Sequence, residues 1–329
     1  MRARLLAIIV SLVLALSGCQ KTPDLECVAE SLNQSVKEGD SAKLLNVLSG
    51  RRAPLVAKNL GQLAEATFEP YKDGLRVKWR AAAIDAPAWH EIGIKAQGCR
   101  VVDVFPKEDS PAPIWLSQQI EVYSDDDVTV MAAPRDASGN QVDNSSWLLA
   151  AHDAVETVRA AVPELSWDSR LVIQVADSIE SFHKITGGTA LDGSAAYTLA
   201  QDFADANDQA ASHIIVNPIH KVDPRFLLTH EAVHVATAEL GVPDDKNMWV
   251  SEGYAEAIAL ATNPERAQES ERLIEENGLR PEQPPTAEEF MSKDPKISSL
   301  AYARAAKLVG EAVSKGNVLV QLQNLGWPR

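Results

Sequence analysis

The sequence predicts an α+β protein in two parts: a small α+β unit over residues 25–111, then a larger unit over 112–329 in which a small mixed sheet gives way to helices. Three observations predict it. Apolar residues at helical spacing open the first part and short alternating segments close it, a stretch rich in proline and charge follows at 106–113, and beyond residue 223 nearly everything has helical period.

In order along the chain, Leu25, Val28, Leu32, Val36, Leu44, Leu45 and Leu48 fall at helical spacing, with Gly39-Asp40 as a break. A second helix is expected over 54–68. After Tyr71-Lys72-Asp73-Gly74, residues 75–79, 90–96 and 100–105 read as strands. Past the boundary near residue 112, residues 120–123 and 128–132 suit a hairpin, 147–162 a helix, and 171–175 and 213–216 further strands. Gly187-Gly188 and Gly193 enclose a run that lacks the lysine and spacing of a phosphate-binding loop and reads as a turn or rim.

The N-terminus carries Arg2 and Arg4 before an apolar run too short to span a bilayer, and small residues precede a cysteine in Leu16-Ser17-Gly18-Cys19. This resembles the bacterial lipobox. The resemblance implies a signal peptide over 1–18, a lipoprotein whose Cys19 carries palmitate-type acyl chains, a short tether over 19–24, and a place on the extracytoplasmic face of the cell membrane or the outer membrane. An ordinary secretory signal is the alternative. The formal charge of −15, two units more negative once Arg2 and Arg4 are removed, disfavours nucleic acid as a partner. In an exported protein, the remaining cysteines, Cys27 and Cys99, suit a disulfide, with two buried thiols as the alternative.

The chemistry is carried by His230-Glu231-Ala232-Val233-His234. Asp223 as an N-cap, Pro224 at the first helical position, and Gly241 and Pro243 beyond Leu240 frame a helix around it. Two histidines four apart project from one helix face and can reach a single zinc ion, while Glu231 between them is placed to act on a metal-activated water as general base. Two helix histidines satisfied by ordinary hydrogen bonds are the alternative. Trp249-Val250-Ser251-Glu252-Gly253-Tyr254-Ala255-Glu256 then opens another helix 15 residues after His234.

Together these segments resemble the gluzincin zinc metallopeptidases, the peptidase MA group that includes thermolysin-like enzymes. The resemblance implies a zincin-like fold over the second part and a third zinc ligand, Glu252. It also implies that Glu256 accepts a hydrogen bond from the free ring nitrogen of His230, and that a late-helix tyrosine, here Tyr302, donates to the oxyanion. A surface carboxylate is the plainer reading of Glu256, and a packing residue that of Tyr302. Seventeen residues separate His234 from Glu252, at the short end for the family.

Three protein ligands leave a fourth position for water, as in catalytic zinc sites. The expected function is therefore membrane-tethered hydrolysis of peptide or protein substrates outside the cytoplasm, a zinc endopeptidase activity with one Zn2+ per chain. The alternatives are a metal-binding lipoprotein that acts as a binding or assembly factor, and an inactive relative whose metal staples two helices. His213 and His220 read as polar neighbours of a half-buried edge strand; His90, His152 and His183 have no partner spacing, and Trp249 reads as packing.

Overall fold

The computed structural model describes residues 24–327 apart from 84, 109, 136–138, 166, 191–192, 200–211, 242–243 and 279–282. The leader over 1–18, Cys19, Leu191, Asp192 and Pro243 lie outside the described residues. The protein is α+β, with two small sheets among its helices.

The chain opens with helices α1 (Leu25–Lys37) and α2 (Ser41–Val47), separated at Gly39 and capped by Asp24 and Asp40, whose carboxylates accept from backbone N–H groups of the first turns. Helix α3 (Ala53–Leu60) follows. The expected helix over 54–68 is thus cut short: it stops at Gly61, and strand β1 (Glu65–Tyr71) takes the rest, because Ala66 and Phe68 alternate with exposed Thr67 and Glu69 at the period of a strand. With β2 (Gly74–Arg80), β3 (Ala88–Gln97) and β4 (Arg100–Pro106) it forms an antiparallel meander. Cys27 and Cys99 are disulfide-bonded, Cα atoms 5.1 Å apart, tying the start of α1 to the β3–β4 turn.

A short helix α4 (Ile114–Ser117) leads into β5 (Glu121–Ser124) and β6 (Val128–Ala132), then helix α5 (Ser145–Ala161), β7 (Leu171–Val175), α6 (Ile179–Thr186), β8 (Ala196–Leu199) and β9 (His213–Val216). The second sheet has the order β5-β6-β7-β9-β8, parallel through β6, β7 and β9 and antiparallel at both edges. Strand β9 is therefore interior, and His213 is buried on it; the edge expected there belongs to β8. Side chains alternate across this sheet. Met131, Val172 and Ile215 join the core of the first unit, whereas Val130, Ile173, Ile214 and Val216 join the core under the helices, so both faces are covered.

Polar bonds fasten the first unit to the sheet. Asn59, wholly buried on α3, donates to the carbonyls of Trp115 and Gln118 and accepts from Ile120 N–H, while Gln118 donates to the Val175 carbonyl and accepts from Asp177 N–H. Each amide thus both donates and accepts inside the apolar junction.

The rest is helical: α7 (Pro224–Thr237) with a 3-10 turn at Ala238–Leu240, α8 (Met248–Leu260), α9 (Pro264–Asn277), α10 (Ala287–Phe290), α11 (Pro295–Val313) and α12 (Val318–Asn324). Among the described residues no helix is long and apolar enough to cross a membrane.

Candidate metal centre

Helix α7 begins as its sequence demands, with the Asp223 carboxylate accepting from Arg225 N–H and Pro224 in the first turn. Nearly every residue from Phe226 to Val233 is buried, since the helix lies between the sheet and helices α5 and α8. It therefore holds His230 and His234 in a packed frame, and α8 brings Glu252 to them. Gly253 lets α8 pack closely on α11 (Pro295–Val313): a Cβ there would stand 2.6 Å from the Ala305 carbonyl oxygen and 2.8 Å from Val309 Cγ2.

The three side chains expected as ligands come together. His230 Nε2 and His234 Nε2 are 3.2 Å apart, Glu252 Oε2 lies 3.3 Å from His230 Nε2, and Glu252 Oε1 lies 3.6 Å from His234 Nε2. Donors bonded at about 2.0–2.1 Å to one tetrahedral ion stand about 3.3 Å from each other, so the spacing suits a single metal ion.

The other ring nitrogens have partners of their own. His230 Nδ1 bonds Glu256 Oε2 at 3.1 Å, and His234 Nδ1 meets Ser251 Oγ at 3.3 Å. With the Glu256 carboxylate taking the Nδ1–H of His230, the Nε2 atoms of both rings and the Glu252 carboxylate converge on one point, where a cation is electrostatically favoured. His230, His234 and Glu252 can accordingly hold a metal ion.

Electrostatics agree with that assignment. Burial works to lower the pKa of His230, but the Glu252 and Glu256 carboxylates outweigh it and hold the ring well above its ordinary value. Burial likewise raises Glu252, and the two histidines outweigh it, leaving the carboxyl well below the usual range. Absent a metal, the same negative charge draws a proton.

Tyr302 on α11 reaches the centre as well, its ring 5.9 Å from that of His230 and 4.9 Å from Phe290. Burial, with Glu252, Glu256 and Glu231 adding, keeps its hydroxyl protonated far above the usual phenol range. Glu231, His230, Glu256 and Tyr302 line a cleft of about 1020 Å³, whose other walls include Ala196 of β8 and Leu273 of α9.

Two contributors escaped the sequence reading. Ser251 stands beside Glu252 in the same helical turn, which is the signal that could have revealed it; Thr198, which donates to Glu231 Oε2 at 2.6 Å, sits on a strand with no clear pattern. Away from the centre, His90 accepts from Trp79 Nε1–H at 3.0 Å, His213 pairs with Gln174, and His152 Nε2 bonds the Asp125 carboxylate at 2.5 Å. Trp249 packs in the helical core. No protein-family model and no curated protein matches the chain.

Proposed function

We propose that the protein is a zinc-dependent peptidase of the gluzincin type, held at a membrane surface by lipid on Cys19. One observation carries the reading. Three donors stand at the spacing of a tetrahedral ion, and one of them, His230, lines a cleft together with Glu231 and Tyr302, a layout that suits an open, catalytic centre.

Bound there, zinc would supply a Lewis acid and a water with a pKa near about 7. The protein's own groups divide the remaining work. Glu231 accepts the proton of the attacking water and returns it to the leaving amine. Tyr302, kept protonated by its surroundings, has an O–H for the developing oxyanion. Glu256 holds the ring of His230 in one tautomer, and Ser251 orients the ring of His234. Strand β8, with one neighbour in its sheet among the described residues and Ala196 in the cleft wall, offers an edge to an extended peptide.

The test is elemental analysis of the full-length protein in mild detergent, followed by cleavage of a mixed peptide library. One zinc per chain, lost in His230→Ala and Glu252→Ala, with cleavage abolished in Glu231→Gln, is the expected result. A chain that takes up no zinc on reconstitution refutes the proposal. Zinc without cleavage of any library peptide would favour a tethered binding or assembly factor.

A further inference from the structure

The carboxylate of Glu231 is buried, yet it belongs to no ion pair among the described residues. Such a group needs a donor, because an unbonded charge away from water is costly. Its hydrogen bond comes from across the helix–sheet interface: Thr198 Oγ1 on β8 donates to Glu231 Oε2 at 2.6 Å, the short distance of a hydroxyl bound to a charged acceptor. Thr198 shares a face of β8 with Ala196, which lines the cleft, while Tyr197 and Leu199 point to the opposite core.

The terminal torsion of a glutamate is soft, so a carboxylate held by its stem alone has no fixed plane. A bond to one oxygen fixes it and leaves the other oxygen facing in a defined direction. We propose that Thr198 is a positioning residue: its hydroxyl orients the Glu231 carboxylate toward the metal position and ties the base to strand β8. This rests on the metallopeptidase reading, which supplies the role of Glu231.

The experiment uses acetohydroxamate, which chelates zinc through two oxygens and gives its acidic proton to a carboxylate beside the metal, so its affinity reports where that carboxylate points. Calorimetric titration of the zinc-loaded full-length protein should show affinity about tenfold weaker in Thr198→Val, the cost of one hydrogen bond to a charged group, with zinc content unchanged. Thr198→Ser, which restores the hydroxyl, should bind within about twofold of wild type. In a Glu231→Ala background, Thr198→Val should add nothing, since the threonine acts through that carboxylate.

Equal affinity in Thr198→Val and wild type overturns the proposal, as does an equal loss with Glu231 absent. Zinc-loaded wild type that ignores acetohydroxamate overturns it too, by showing that no carboxylate is aimed at the metal. Wild type that takes up no zinc overturns the metallopeptidase reading itself and carries this inference with it.

Discussion

Lowering the pH from 7.5 to 5 should weaken the fold by about 4 kcal/mol through two histidines remote from the metal centre. His90 and His213 both stand against Trp79, ring centroids 5.8 and 5.5 Å from it, where the four-stranded sheet meets the five-stranded one. Burial, with a smaller contribution from His213, depresses His90 from 6.5 to about 3, and burial depresses His213 to about 4. Both rings stay neutral in the fold while the unfolded chain takes up protons below 6.5.

Their contribution is therefore complete above pH 6.5, falls away as the pH drops below it, and levels off only beneath the folded values. Each pH unit costs about 1.4 kcal/mol per ring, hence about 2 kcal/mol each at pH 5. Set against a typical stability of about 5–15 kcal/mol, the loss is large. Urea unfolding of wild type and His213→Gln at both pH values is the assay, because groups common to both proteins cancel. The variant should lose about 2 kcal/mol less than wild type between pH 7.5 and 5. Superimposable pH dependences would refute the assignment of buried neutral rings.

Gly253→Ala should lower stability by about 1–3 kcal/mol and weaken zinc binding, since the new methyl would meet the Ala305 carbonyl of α11 and displace Glu252 with its helix; thermal unfolding and metal titration measure both. Tyr302→Phe should leave zinc content and KM unchanged and reduce kcat about 100-fold, whereas unchanged kcat would leave the ring as a packing partner of Phe290. Replacing both Cys27 and Cys99 by serine should cost roughly 4 to 5 kcal/mol by the entropy of the loop they close. Reductant should lower the urea midpoint of wild type and leave that of the double variant unmoved.

The centre was largely legible because its signals are local. A four-residue step on a capped helix places two imidazoles on one face whatever surrounds it, and Glu252 lies in a segment with helical signals of its own. What could not be read depends on pairing between distant segments. Strand β8 has four residues, Ala196 to Leu199, too few for alternation to emerge, so neither the sheet edge nor the role of Thr198 was visible. The sequence places His213 on an edge for the same reason, since finding β9 interior requires knowing that β8 exists. In the first unit, the helical spacing near residue 56 ran on past Gly61 into β1, where apolar residues two apart were absorbed into a helical reading.

The Asn59–Gln118 junction has a practical corollary for anyone dissecting this molecule. The apolar side chains of Trp115, Ile120, Met131, Val172, Phe182 and Ile215 belong to the same core as those of α1 to β4. A fragment beginning at residue 112 would bare them as one sticky surface, along with peptide groups now bonded to Asn59. Expressed alone, such a piece should aggregate unless the missing half is supplied in trans. The two halves would then behave as complementing fragments rather than as interchangeable modules.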